Sequence, residues 1–190
     1  MWLLRVVSGA VLVAALSLPA LAADDILDAI DAARKSYQAN DLANAKQSLD
    51  VASQLIAQKN AEAFSALLPA PLAGWKAEKA QATAVGAAMF GGASAATRTY
   101  TNAKGDNVEV SITGDSAMIM QFGPMLNNPA LAGAMGKLIK VGDLRGIQTN
   151  EGDILLLVAN KILVHVQGSA DAAAKLSYAQ AIDVAKLSKM

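Results

Sequence analysis

Apolar residues at helical spacing fill two stretches near the start of the chain, separated by Asn40 and Asp41. In each stretch they stand three or four residues apart, which places them on one face of an α-helix. The first series is Ile26, Ile30, Ala33 and Tyr37, and the second is Leu42, Ala45, Leu49, Ala52 and Ile56. Because only a short turn separates the two series, the pattern predicts an antiparallel helical hairpin over residues 23–68.

Proline ends this helical pattern. Pro69 and Pro71 cannot continue a helix, and each favours extended backbone in the residue before it. Residues 69–75 are therefore predicted to form a proline-rich linker. Trp75 is expected to anchor the start of the next unit, which spans residues 75–190.

The hydrophobic period changes to two beyond the linker. Val108, Val110 and Ile112 alternate with polar residues, as in a strand with one buried face. A turn at 103–106 pairs this strand with the threonine-rich stretch 94–101. Further strands are predicted at 75–81, 137–141, 144–149, 154–158 and 162–167, whereas the stretch 83–93 has no firm period.

Helical stretches alternate with these strands at 117–126, 128–136 and 170–187. Gly123-Pro124 interrupts the first, while Asn128 and Pro129 suit the start of the second. Runs of strands followed by helices indicate an α+β fold. The sequence thus predicts an antiparallel sheet of about five or six strands with a covering helix and a C-terminal helix, preceded by the helical hairpin.

The first 22 residues have the three-part pattern of a cleavable signal peptide. Arg5 supplies a positive charge, residues 6–18 are uncharged, and Ala20-Leu21-Ala22 places small residues at the cleavage site. The apolar run is shorter than the roughly 20 residues that a membrane-spanning helix needs. We expect cleavage after Ala22 and a mature protein in a bacterial periplasm.

Composition excludes several classes of function. The 16 Lys and Arg residues balance 16 Asp and Glu residues, so no basic field attracts nucleic acid or an anionic membrane. The chain has no cysteine, which rules out disulfides, a thiol nucleophile and thiolate metal sites. No segment after the signal peptide is apolar over the length of a membrane span, so we expect none in the mature protein.

The sequence gives little support for catalysis. The sole histidine, His165, lies between two valines on a predicted strand and has no nucleophile beside it in the sequence. Four aspartates lie on the first helix, where carboxylates suit the helix dipole, and four lie at predicted turns, where they hydrogen-bond the local backbone: Asp24, Asp25, Asp28 and Asp31, and Asp106, Asp115, Asp143 and Asp153. Neither a calcium loop nor a phosphate-binding loop is present. We predict no catalytic residue, no metal and no cofactor, and hence no enzyme.

Methionine and phenylalanine form the most suggestive apolar cluster. The candidates for contact with a partner or ligand are Met118, Phe122, Met125, Met89 and Phe90. Thioether sulfur suits Cu(I), but Met118 and Met120 would point about 200° apart on a helix, so they cannot share an ion. Adaptable side chains of this kind are typical of core filling or of apolar contact surfaces.

The hairpin resembles a single tetratricopeptide-type unit. The match covers the stretch 40–45 (Asn-Asp-Leu-Ala-Asn-Ala), with Ala33 before it and Leu49 and Ala52 after it. Such units bury their faces against neighbouring units, and the sequence contains no second copy. A lone unit is therefore expected to dock on the rest of the protein, and repeat-type peptide recognition is the alternative.

From Gly74-Trp75 onward, the order of strands and helices is similar to that of the Mog1/PsbP/DcrB-type domains. Members of that fold group mostly act as accessory or assembly factors, and the resemblance implies such a role here. Our first hypothesis is an exported, non-enzymatic factor that binds an envelope protein. The alternative is a periplasmic carrier or sensor of a small apolar ligand, held between the methionine-rich helix and the sheet. A hydrolase that uses His165 ranks third.

Overall fold

The computed structural model describes residues 24–85, 93–114, 119, 124 and 128–190, so the predicted signal peptide lies outside the described residues. Its helices are α1 (Asp25–Gln38), α2 (Leu42–Leu67), α3 (Pro129–Met135), α4 (Ala172–Gln180) and α5 (Val184–Leu187). Its strands are β1 (Trp75–Ala77), β2 (Gln81–Val85), β3 (Ala93–Asn102), β4 (Asn107–Gly114), β5 (Gly136–Val141), β6 (Leu144–Thr149), β7 (Ile154–Val158) and β8 (Ile162–Gln167). Within these ranges, no helix combines the length and hydropathy that a membrane crossing requires.

The eight strands form one antiparallel sheet in the order β1-β3-β4-β8-β7-β6-β5, with β2 also paired to β3. This confirms the predicted α+β fold, although the sheet has more strands than the five or six expected. Two short strands, β1 and β2, stand where a single strand was predicted, and both lie beside the long strand β3: β1 pairs with residues 100–102 and β2 with residues 93–97. The predicted strand 75–81 is interrupted at residues 78–80, and β2 continues to Val85 through a stretch with no clear hydrophobic period.

Apolar and polar residues alternate along β4, and the apolar ones form the buried face of the sheet. Val108, Val110 and Ile112 are completely buried, and their neighbours across the ladder on β8, Val166 and Val164, are buried too. This face of the sheet is covered by α2 and α4, together with Leu187 of α5. We call it the covered face. Burial of aliphatic side chains on this face supplies the main stabilisation of the fold.

A glycine sets the distance between α2 and the sheet. Gly114 ends β4 beneath the ring of Phe64, and a Cβ at position 114 would lie 2.6 Å from Phe64 Cζ. A larger residue at position 114 would therefore force the Phe64 ring to shift. The contact joins the C-terminal half of α2 to the end of β4.

The C-terminal helix predicted at 170–187 is two helices. The break falls at residues 181–183, where the Asp183 carboxylate accepts a hydrogen bond from the Lys186 amide at 3.0 Å and caps α5. The prediction was wrong because the apolar spacing of Leu176, Ala179 and Ile182 continues across the break. Spacing alone does not reveal a cap inside an apolar series.

The proline-rich linker is fastened to the covered face. The Tyr100 hydroxyl donates a hydrogen bond to the Pro69 carbonyl at 2.6 Å, and the Tyr178 hydroxyl accepts one from the Leu72 amide at 3.2 Å. The two tyrosine rings lie 4.4 Å apart, and the Trp75 ring meets Tyr178 edge-on at 5.4 Å. Trp75 therefore anchors the start of the sheet unit, as the sequence predicts.

Candidate functional site

Small side chains form the seam between α1 and α2. Ala33 of α1 and Ala45 and Ala52 of α2 are all buried. Alanine at these positions lets two helix backbones approach closely. This arrangement confirms the helical hairpin predicted from the sequence.

The large apolar residues of the hairpin remain outside the seam. Seven of them are between 42% and 69% exposed; Val51 lies on the opposite side of α2 from the other six, which are Leu27, Ile30, Tyr37, Leu42, Leu49 and Ile56. The helical period places Ile30, Tyr37, Leu42, Leu49 and Ile56 on the same helix faces as the seam alanines, yet these five side chains remain exposed. Two helices without a third layer can bury only the narrow strip where they touch.

These six residues lie on one side of the hairpin. Most stand three residues before or four residues after a seam alanine, which is about 40–60° around the helix in the same rotational sense. In an antiparallel pair, equal rotation from the seam carries both rows to the same side. Leu27, six residues before Ala33, lies further round at the rim. We call this set the hairpin apolar face.

The hairpin apolar face is open, and its rim is polar. In the described part of the chain α1 packs mainly on α2, and it is α2 that carries the hairpin onto β2 and β3. Asp31 and Arg34 form an ion pair at 3.0 Å beside the α1 row, and Lys46 and Asp50 form another at 2.7 Å beside the α2 row. An apolar centre within a polar rim is the usual anatomy of a protein-binding surface.

Local hydrogen bonds fix the hairpin turn. Asn40 adopts φ of +61°, a left-handed conformation that asparagine tolerates well. The Asp41 carboxylate accepts hydrogen bonds from the Asn44 amide at 3.1 Å and the Asn44 side chain at 2.6 Å, and so caps α2. The hydrogen bond from the Asn44 amide is the main cause that lowers the pKa of Asp41. The apolar face therefore sits on a stiffly connected pair of helices.

A second apolar surface lies on the other face of the sheet. Leu138, Ile147, Leu155 and Leu157 line a groove of about 300 Å³ with Arg145 beside them. Strand register places these side chains on the face opposite Leu156 and Val164. Such a groove is at the lower end of the volumes that hold small organic ligands.

A polar cluster occupies the same face near the start of β7. The Lys175 ammonium, 4% exposed, lies 2.7 Å from one oxygen of Asp153, and His165 Nε2 lies 3.9 Å from the other. Register places Ser111 directly across from His165, where its hydroxyl accepts a hydrogen bond from Thr97 at 3.3 Å. A buried ammonium needs such a partner, so the pair is a structural contact.

His165 lies on its strand as predicted, facing away from its buried neighbours Val164 and Val166. The sequence alone does not place Ser111 and Asp153 beside His165, because only strand register brings these residues together. Among the described residues, no group of three or more His, Asp or Glu side chains is placed to hold a metal ion.

The contact residues predicted from sequence lie elsewhere in the chain. Met118, Phe122, Met125, Met89 and Phe90 are all outside the described residues. The hairpin apolar face was not predicted, although a signal was present. In the apolar series of α2 that begins at Leu42 and ends at Ile56, large residues alternate with alanines. If the alanines form the seam with α1, the row of large residues must lie outside it.

Comparisons with protein-family models, with curated proteins and with solved structures give no match for this chain.

Proposed function

We propose that the protein is an exported, non-enzymatic accessory or assembly factor that acts through protein–protein contacts made by the hairpin apolar face. The observation that carries this proposal is the exposure of six large apolar side chains on one side of the hairpin. Monomeric proteins rarely leave contiguous apolar patches of more than a few hundred Å² open to water.

The energetics support a binding role for this face. Full burial of a leucine or isoleucine side chain is worth about 1.5–3 kcal/mol, and here roughly half of each side chain remains accessible. A partner that covers the face gains this free energy without distorting the hairpin. The sheet, whose covered face is already buried by α2 and α4, gains nothing comparable from a partner there.

Site-specific photo-crosslinking tests this proposal. A photoreactive residue at Leu49, on the hairpin apolar face, should yield a discrete crosslinked protein in cells. The matched control is Val51, which is 48% exposed on the opposite side of the same helix. Equal crosslinking from both positions, or none from Leu49, would contradict a role for this face.

Export is part of the proposal and rests on the pattern of residues 1–22. N-terminal sequencing of protein recovered from the cell envelope should give Ala23 as the first residue. An intact Met1 on that protein would contradict cleavage after Ala22.

A second candidate function is a carrier of a small apolar ligand, which the groove at Leu138, Leu155 and Leu157 favours. Native mass spectrometry of gently purified protein should then reveal an added mass that is lost on denaturation. Leu155→Gln should release that mass, because it places an amide in the apolar wall. Bare protein in every preparation would count against this candidate.

A further inference from the structure

We propose that the hairpin apolar face binds the same face of a second copy of this chain, so that two hairpins close into a four-helix bundle. The inference rests on the proposed function and names the partner for that surface. Its support comes from the spacing of the exposed residues, their area and the charge of the rim.

The spacing is that of a bundle helix. Leu42, Leu49 and Ile56 stand seven residues apart, with Ala45 and Ala52 between them at the intervening seam positions. In a heptad these are the a and d positions, both of which point toward a bundle core. The alanines already meet the neighbouring helix of the hairpin. The large residues therefore point to where a second layer of helices would lie.

The first helix repeats this arrangement. Ile30 and Tyr37 are seven residues apart and exposed, whereas Ala33, between them, is buried in the seam. The exposed rows of both helices must be covered together. A single docked helix would lie along the groove and cover the inner sides of the two rows. A pair of helices matches the width of the face.

The accessible area of this face fits a dimer. From their exposed fractions, the six residues present about 700 Å² per copy, close to the ~800 Å² per partner of a standard stable interface. A two-fold dimer uses the same patch on both copies, so one apolar face is enough.

The charges at the rim permit this contact. Each row is bordered by one ion pair, Asp31 with Arg34 and Lys46 with Asp50, so the rim carries no net charge. Each of these four rim charges has a partner of opposite sign in its own copy, so none of them faces the second copy as an unpaired charge. A neutral rim does not favour an anionic lipid surface, which attracts clusters of lysine and arginine. α2 meets the sheet through residues outside the exposed row: Phe64 lies against Gly114, and the Gln54 side chain donates a hydrogen bond to the Ala84 carbonyl at 3.4 Å.

Sedimentation equilibrium of the purified protein tests the inference. The wild-type protein should be a dimer, and Leu49→Glu should raise the dimer dissociation constant by at least about 30-fold, since it places a carboxylate in the apolar centre. Val51→Glu, which adds the same charge on the opposite side of α2, should leave the constant unchanged. Circular dichroism should be the same for both variants, because both positions are exposed in the monomer.

Cysteine crosslinking gives an independent test, because the chain has no native cysteine. With a short bis-maleimide, Leu49→Cys should yield a covalent dimer and Val51→Cys should not. The inference is overturned if the wild-type protein stays monomeric at about 100 times its concentration in cells. It is also overturned if both positions crosslink equally. If the monomer still crosslinks to a different protein through Leu49 in cells, the dimer is refuted and the proposed function stands. If Leu49 crosslinks to nothing, both fail.

Discussion

The hairpin and the sheet bury opposite kinds of residue. In the sheet unit, large side chains are completely buried, such as Tyr100 and Leu156 on strands and Tyr178 on α4. In the hairpin, Ala45 and Ala52 are buried while Leu49 and Tyr37 face water. Both regions carry a regular apolar pattern, yet only the sheet is covered by other parts of the described chain. Burial of a large residue needs a second layer, and the hairpin by itself does not have one.

The largest expected difference in stability is between alanine substitutions of two tyrosines, one in each region. Tyr178→Ala removes a fully buried ring and its contacts with Trp75 and Tyr100, so it should lower the free energy of unfolding by about 3–5 kcal/mol. Tyr37→Ala, on the exposed side of the hairpin, should change it by less than about 0.5 kcal/mol. Urea denaturation followed by circular dichroism measures both. Similar losses for the two variants would remove the contrast between the regions.

Removing an ion pair should likewise cost more free energy of unfolding in the sheet unit than in the hairpin. Asp153→Ala leaves the buried Lys175 ammonium with the Glu151 carbonyl, at 3.2 Å, as its remaining hydrogen-bond acceptor. We expect a loss of about 2–3 kcal/mol in the free energy of unfolding. Asp50→Ala, which removes an exposed pair on the hairpin, should cost less than about 0.5 kcal/mol. The double variant Asp153→Ala/Lys175→Met should recover part of the first loss, and no recovery would argue against a buried charge as its cause.

Within the hairpin, enlarging a buried alanine should cost more free energy of unfolding than truncating an exposed leucine. Ala52→Leu adds volume to the closed seam and should destabilise the protein by about 1–3 kcal/mol. Leu49→Ala removes exposed surface and should change the stability of the monomer by less than about 0.5 kcal/mol. Dilute thermal denaturation, below the dissociation constant of any dimer, compares them. The reverse order would place the seam at the wrong residues.

The last prediction concerns pH and is confined to the sheet unit. Burial raises the pKa of Tyr100 from 10.0 to about 12 and also raises the pKa of Tyr178. The unfolded chain therefore loses these protons first, so stability is intact below pH 10 and falls as pH rises from 10 to 12. Tyr100→Phe should flatten this fall in urea titrations at stepped pH. An equally steep fall in the variant would assign the effect to other groups.

The sequence predicts the elements of the sheet well because each strand carries its own signal. Residues 144–149, 154–158 and 162–167 were expected as strands, and β6, β7 and β8 have those bounds. Alternation, turn residues and β-branched side chains all act locally. The strand order and the pairing of Ser111 with His165 depend on long-range register, which local patterns do not contain.

The candidate site was much harder to predict than the fold. Helical spacing identifies which residues share a face, but it does not say whether anything covers that face. The resemblance to Mog1/PsbP/DcrB-type domains and the absence of enzymatic activity both stay predictions. The predicted contacts of Met118 and Phe122 also stay predictions, since these residues lie outside the described ones.

One continuous helix joins the two regions, and this gives the molecule a mechanical property. The 26 residues of α2 form a rod of about 39 Å, exposed at the hairpin end and seated on Gly114 through Phe64 near the other. The linker that follows is held at once by Tyr100 and Tyr178. The C-terminal end of α2 is therefore fixed to the sheet unit. A partner bound at the hairpin is held at a set distance and angle from the sheet. In a dimer joined at the hairpins, the length of α2 sets the separation of the two sheets.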